Sequence, residues 1–345
     1  MPKSVKSRKS KLKVETRDRV DLGVGGGGAG RAEVEPACDL RAAPRSRSHV
    51  RVRAAQRCVS MSSSKQCFSS DGAQIYADAA GNAQNPSMVF AHGFALSGVV
   101  FDQLFAHQLL LDNFYLVRYD VRGYGRSSKP DDSAAYQSAL YADDFSAVCQ
   151  AFGLVKPIFV GWSAGAPIIA DICAHISPCP ILAAVAMSGA LCPATSEQTL
   201  RPLLLDFIAK FRSSDAKTTL AVRPAFVDAC FVNPASVAVE VKTAWIGATV
   251  VHTPNITEAV LNGHQPGACQ DALTKLGGEG LPVMVLYGTE DSIQDGDVAV
   301  KLAKEYFVDF TAVSVLGAGH AVFYDALNET VRHLVGFGLR VCTKK

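Results

Sequence analysis

No run of apolar residues in this chain approaches the ~20 that a membrane-spanning helix needs, so no transmembrane segment is expected. The ten cysteines form no Cys-x-x-Cys pair and no metal-ligand spacing, so no metal site is expected either. Charged residues make up only 19% of the chain, low for a disordered or nucleic-acid-binding protein. The N-terminal region lacks the apolar core of a secretory signal. Without such a signal the cysteines read as reduced thiols in a cytoplasmic protein. Cys149, Cys173 and Cys230 lie in apolar stretches, where cysteine acts as a small hydrophobe. The sequons at Asn255 and Asn328 matter only in a secreted chain and are expected to be silent.

What the chain has in quantity is apolar character, 48% of 345 residues, enough for a sizeable core. Its net charge of +2 hides an asymmetry. Residues 1–60 carry 15 Lys and Arg against 6 Asp and Glu, a net +9, and the remainder carries −7. The basic character therefore belongs to a tail. That tail holds the glycine run "VGGGGAG", scattered arginines and no sustained apolar period, and it reads as a disordered extension. Arginine and serine fit a mitochondrial presequence in part, but six acids count against one. No aromatic residue is interleaved to stack on bases, so no nucleic acid is expected as a partner. Met61 opens "MSSSKQCFSSDG", which reads like a protein start, and residues 61–345 are taken as the folded domain.

From about residue 68, strand-like and helix-like segments alternate. "SMVFA" (87–91), "FYLVRY" (114–119), "PIFVG" (157–161), "ILAAVAM" (181–187), "PVMVLYG" (282–288) and "FTAVSVLG" (310–317) are short and nearly continuously apolar. Such runs suit strands buried on both faces of a mainly parallel sheet. Tyr141, Phe145, Val148 and Phe152 share one helical face, with Gly153 as a stop. "DVAVKLAKEYF" (297–307) and "ETVRHLVGFGL" (329–339) are two further helices. The alternation predicts a doubly wound α/β sheet. One interval, about 192–278, breaks the rhythm with "RPLLLDFIAKF", "PAFVDACF" and "VAVEVKTAWIGATVV". A structureless loop of that length is implausible, so it reads as a helical insertion over the strands' carboxyl ends.

The chemistry centres on "FVGWSAGAPI". Gly-Trp-Ser-Ala-Gly follows an apolar strand and precedes a helical pattern, with Pro167 in the first turn. In strand–turn–helix context that motif means a nucleophile elbow, with Ser163 lifted clear and the amide of Ala164 beside it. The bland alternative is a helix N-cap serine. A serine hydroxyl attacks only with a base. His320, in "LGAGHAVF", follows the last strand; His333 lies within a helix. Asp291 in "YGTED" follows the strand at 282–288 and can orient the base, with Glu290 as its rival. The order Ser163, Asp291, His320 is that of the α/β-hydrolases rather than of the other two well-known triad folds. An oxyanion needs two N–H donors. Ala164 supplies one, and Phe94, after His92-Gly93 in "AHGFALSG", is the natural second. His92, Trp162 and Trp245 are expected to line the substrate pocket.

On these motifs residues from about 67 to 340 resemble the α/β-hydrolase superfamily, in its serine esterase and haloperoxidase-like branch. "CFSSDGAQIYADAAG" is similar to its antiparallel opening strands, and "YDVRGYGRSSKP" to its Asp-x-Arg-Gly-x-Gly-x-Ser turn. Asp120, Arg122 and Gly125 in that turn are read as structural. The resemblance implies a mainly parallel sheet of about eight strands flanked by helices, with a helical lid and no cofactor. It implies a serine hydrolase acting on a small-molecule carboxylic ester or related acyl bond. Dehalogenases and epoxide hydrolases of this fold use aspartate where Ser163 stands. A cofactor-free perhydrolase, a carbon–carbon bond hydrolase and a non-catalytic ligand receptor are the alternatives. Phe207, Phe211, Phe226, Phe231 and Trp245 in the insertion fit lid core better than an acyl pocket.

Overall fold

A computed structural model describes residues 63–191 and 197–343. The expected extension over 1–60 lies outside the described residues, as do positions 192–196 at the head of the expected insertion. Among the described residues eight strands form one sheet. They are β1 (Ser63–Phe68), β2 (Gln74–Ala80), β3 (Ser87–Ala91), β4 (Tyr115–Tyr119), β5 (Ile158–Trp162), β6 (Ala183–Met187), β7 (Val283–Gly288) and β8 (Phe310–Val315). Their spatial order is β1-β2-β4-β3-β5-β6-β7-β8. β2 runs antiparallel to β1 and β4, and every other neighbouring pair is parallel. The antiparallel start follows from "SSDG": Gly72 takes φ +82°, Asp71 accepts from the amide of Ala73 at 3.0 Å, and the chain reverses within that turn.

The helices, in chain order, begin with α1 (Asp102–Phe105), α2 (Gln108–Asn113), α3 (Ser138–Phe152) and α4 (Ile168–His175). Between β6 and β7 lie α5 (Pro202–Phe211), α6 (Ala216–Ala229), α7 (Val239–Val250), α8 (Pro254–Gly263) and α9 (Gln270–Gly278). After β7 come α10 (Gly296–Ala303), α11 (Val322–Asp325) and α12 (Leu327–Thr343). No described helix is long and apolar enough to cross a membrane. α3 turns Tyr141, Phe145 and Val148 into the core and stops at Gly153, whose φ of +65° closes the helix end.

β4 to β7 are buried at every residue, as parallel strands covered on both faces should be. β8 differs from the expectation for "FTAVSVLG". It pairs with β7 alone at the sheet edge, and most of its residues keep partial contact with solvent. The apolar run there reports an edge strand with one side better covered than the other rather than a central strand. In the interval between β6 and β7, α5, α6 and α7 pack in sequence, and α7 also meets residues 98–101 after β3. α8 packs on residues 133–136, and α9 packs against α4 on the flank of the sheet.

Two buried arginines fix the turns that carry the site. Arg118 on β4 faces Asp78 on β2 in register and bonds to it at 2.8 Å. Arg122 grips Asp144 of α3 through Nε and Nη2 at 2.7 and 2.6 Å, and reaches Asp71 in the β1–β2 turn at 3.0 Å. Asp120 accepts from the amides of Gly98 and Arg126, both at 2.8 Å. Gly125 sits at φ +49° with no room for a Cβ beside the Asp120 carboxylate. These charges hold loops together, as the sequence reading of the turn expects. Removing one partner of such a buried pair costs about 3–5 kcal/mol, because the other charge stays buried.

Candidate active site

β5 ends at Trp162, and the next residue, Ser163, has φ +53°. An L-residue pays roughly 1–2 kcal/mol for that conformation. The surrounding glycines make it sterically feasible. A Cβ on Gly161 would run into the carbonyl of Gly165, and one on Gly165 into the carbonyl of Ala91 on β3. A Cβ on Gly189, after β6, would meet that of Ala166 at 2.6 Å. The turn is thus pressed against two neighbouring strand ends, and only glycine lets the backbones approach so closely.

Ser163 Oγ lies 2.8 Å from His320 Nε2, and His320 Nδ1 lies 2.8 Å from Asp291 Oδ2. Asp291 Oδ1 accepts from the amides of Ile293 and Gln294 at 2.8 and 2.9 Å. The carboxylate therefore accepts at both oxygens, so Nδ1 of His320 carries the proton it donates and Nε2 is left to accept from the serine. All three side chains are buried: Ser163 is 6% exposed, Asp291 4% and His320 2%. Glu290, the rival acid, is exposed. The loop bearing His320 is tied at the end of β7, where the Glu290 amide donates to the Ala318 carbonyl at 2.9 Å, and at three further points. The indole Nε1 of Trp162 donates to the His320 carbonyl at 2.9 Å, the Gly319 amide donates to Asp325 Oδ2 at 2.9 Å, and the Ala321 amide donates to the Cys230 carbonyl at 2.7 Å. Asp325 Oδ2 also accepts from the amide of Val232 at 3.2 Å, and burial pushes its carboxyl above the ordinary range. His333 lies in α12, away from this group in the chain order of the fold.

The loop after β3 comes down on the serine. A Cβ built on Gly93 would lie 2.9 Å from Ser163 Cβ and 3.3 Å from its Oγ, so the Gly93–Phe94 backbone runs alongside the hydroxyl. Ala164 follows Ser163 at the head of the turn into α4. Ala95, next after Phe94, takes φ +56°, which turns the loop sharply just past the expected donor. His92 does not present a polar atom to a substrate. Its Nδ1 bonds to the Gly93 carbonyl at 2.8 Å and its Nε2 accepts from the Val121 amide at 2.9 Å. Full burial pushes its pKa down, so the ring stays neutral as a clamp between two loops. The sequence places His92 in the substrate pocket; both of its ring nitrogens are engaged by the backbone of these two loops.

Trp162 and Trp245 likewise face core. Their ring centroids are 5.9 Å apart, and both pack on Phe323. Trp245 further packs on Phe231, with ring centroids 4.9 Å apart and the planes tilted by 39°. Phe207, Phe211, Phe226 and Phe231 are buried. The Phe94 ring carries a roof from the segment between β6 and β7: Phe211 of α5 at 5.3 Å, Phe226 of α6 at 6.0 Å and His252, between α7 and α8, at 5.2 Å. His252 is absent from the sequence expectations. It is fully buried, stacks on Tyr124 at 4.6 Å, and bonds through Nδ1 to the Gly123 carbonyl and through Nε2 to Thr257 Oγ1. Burial depresses its pKa to about 4. Nothing local in "VVHTPN" marks it; its partners lie 129 residues away and in the next helix. Among the described residues no group of three His, Cys, Asp or Glu side chains could hold a metal ion.

A family model described as alpha/beta hydrolase fold matches residues 86–327. The chain is 42% identical over 92 residues to the "Probable oxidoreductase EphD" of Mycobacterium tuberculosis, covering 27% of this chain and 15% of that protein. It is 32% identical over 119 residues to the "Bifunctional esterase/perhydrolase DCH" of Acinetobacter calcoaceticus, 34% of this chain and 42% of that one. The matched stretches thus span less than half the length of these two relatives. Among solved structures, the esterase RhEst1 from Rhodococcus sp. ECU1013 superposes with a TM-score of 0.72 at 25% identity, over 81% of this chain and 99% of that one.

Proposed function

The chain belongs to the alpha/beta hydrolase fold family, and on that premise we propose that it is a serine hydrolase that cleaves a small to medium carboxylic ester through an acyl-enzyme. The observation that carries this reading is the unbroken hydrogen-bonded series from Ser163 through His320 to Asp291, with Asp291 held by two further amides. In the first step His320 Nε2 takes the hydroxyl proton while Oγ bonds to the ester carbonyl carbon. The amides of Phe94 and Ala164 hold the oxygen as it becomes anionic. The C–O bond to the leaving group then breaks, and the proton on Nε2 passes to the departing alkoxide. In the second step Nε2 takes a proton from water, whose oxygen attacks the acyl carbon. Collapse of that intermediate releases the acid and returns the proton to Ser163.

Asp291 keeps Nδ1 protonated and stabilises the imidazolium formed in each step without itself taking the proton. The helices between β6 and β7 act in this reading as a lid. Their inner face over Phe94 is aromatic, which favours an uncharged, apolar acyl group over an ionised one. Purified Ser163→Ala should lose nearly all hydrolysis of short p-nitrophenyl esters, and the parent should be labelled covalently by a fluorophosphonate. A Ser163→Ala protein as active as the parent removes this reading, and a folded parent that takes no label favours a ligand receptor.

The likeness to a protein named as esterase and perhydrolase supports a second outcome on the same groups, in which hydrogen peroxide replaces water in the second step and a peracid leaves. Peracid formation from acetate and hydrogen peroxide, absent in Ser163→Ala, distinguishes it.

A further inference from the structure

We infer that Trp162 is a positioning residue: its indole N–H holds the main chain of His320, and so fixes where the base stands relative to the nucleophile. The inference rests on the serine hydrolase reading above. Trp162 is the last residue of β5 and the one before Ser163. Its Nε1 donates to the His320 carbonyl at 2.9 Å, with both residues buried. The other ties of this loop lead elsewhere: the Glu290 amide donates to the Ala318 carbonyl at 2.9 Å and the Gly317 amide to Thr289 Oγ1 at 2.9 Å, both at the end of β7. Gly319 bonds to Asp325 beyond α11's start, and Ala321 bonds to Cys230 in the helical insertion. The indole bond joins the base's loop directly to the strand end that carries the nucleophile. These two points are 158 residues apart in sequence.

The indole is itself immobilised. Phe323 meets it edge-on at 5.2 Å, Phe101 at 6.4 Å and Trp245 of α7 at 5.9 Å. The His320 ring lies 5.2 Å from the indole ring, so Trp162 both bonds the backbone of His320 and bounds the space its ring occupies. A buried indole N–H takes a partner wherever it lies; what sets this one apart is that the partner is the backbone of the base.

The expected size follows from one neutral hydrogen bond, whose net worth corresponds to a three- to tenfold change in a rate or equilibrium constant. His320 acts in both steps, so the loss should fall on turnover. Trp162→Phe keeps a ring but removes the N–H. A second variant guards against a folding defect. The chain has two tryptophans, Trp162 and Trp245. In a Trp245→Phe background, biosynthetic replacement of tryptophan by benzothienylalanine changes position 162 alone, keeping the bicyclic shape while sulfur replaces N–H.

The assay is hydrolysis of p-nitrophenyl acetate, with each variant compared with its own background and folding checked by thermal melting. The expected result is a three- to tenfold lower kcat in both variants with KM within twofold. Unchanged kcat in the folded benzothienylalanine protein overturns the inference. So does a raised KM at unchanged kcat, which makes Trp162 a pocket wall. Failure of the underlying reading has a different signature: the parent itself takes no fluorophosphonate, and the inference falls with it.

Discussion

Gly93→Ala isolates the proposed oxyanion loop from the proposed triad. Gly93 does not have the positive φ that makes alanine a strained replacement, so the backbone itself tolerates the change. The obstacle is contact. The new methyl would stand 2.9 Å from Ser163 Cβ and 3.3 Å from both Ser163 Oγ and Trp162 Cε3. Carbon atoms repel steeply below about 3.5 Å, so the loop or the serine must move by a few tenths of an ångström or more. Ser163 is the less free of the two. It is fixed by Gly161 and Gly165 against neighbouring backbone and by its bond to His320. The loop therefore moves, and the amide of Phe94 moves with it. Loss of one oxyanion donor costs on the order of 10²–10³ in turnover, and a displaced donor should approach the lower figure. Stability should fall by about 1–3 kcal/mol from overpacking. The measurements are kcat/KM for p-nitrophenyl acetate and the thermal midpoint. A protein still folded at the assay temperature but roughly a hundredfold slower is expected. A folded Gly93→Ala enzyme with parental kcat refutes the placement of the oxyanion site on this loop.

Asp291→Asn places an amide where the carboxylate orients His320, so the ring is driven toward the wrong tautomer; kcat should fall by about 10³–10⁴ while Glu290→Gln stays near the parental rate. The contrast is read with the same ester, and equal effects of the two substitutions would remove Asp291 from the orienting role. His252 contributes a pH dependence of stability. Its folded pKa, about 4, lies below the ordinary value of 6.5, so the unfolded chain takes up the proton first as pH falls. Its contribution is complete above pH 6.5 and is lost progressively down to about pH 4, by up to about 3 kcal/mol. Urea midpoints from pH 7.5 to 4.5 should fall less steeply for His252→Gln than for the parent, and parallel curves would show that the ring does not titrate as described.

Much of this arrangement is legible in the chain because it is local. The central strands announce themselves as short apolar runs, and the observed β3 to β7 start or end within two residues of those runs. Ser163, Asp291 and His320 each follow a strand within a few residues, so their order alone brings them to one end of the sheet, where the three side chains are hydrogen-bonded. What escapes a reading of the sequence is long-range. His92 beside a glycine at a strand end looks like a pocket residue. Its two ring nitrogens are taken by Gly93 and by Val121, 29 residues away. β8 has the composition of a central strand but lies at an edge, because composition records which residues can be buried and not how many neighbours the strand finds. His252 and the indole bond of Trp162 depend on which helices of the insertion settle over which loops, and no local period encodes that.

The helices between β6 and β7 touch both halves of the proposed chemistry by different routes. α5 and α6 press Phe211 and Phe226 onto the ring of Phe94, whose backbone amide is the proposed oxyanion donor. α7 presses Trp245 onto Trp162, whose indole holds His320. The chain just past α6 also accepts the amide of Ala321 through Cys230. A displacement of this roof large enough to admit a substrate therefore acts on the donor and on the base as well as on the opening. Tight packing transmits such shifts rather than absorbing them. It follows that substitutions on the inner face of these helices should change kcat as well as KM, since the residues that shape the pocket are packed against the residues that position the reacting groups.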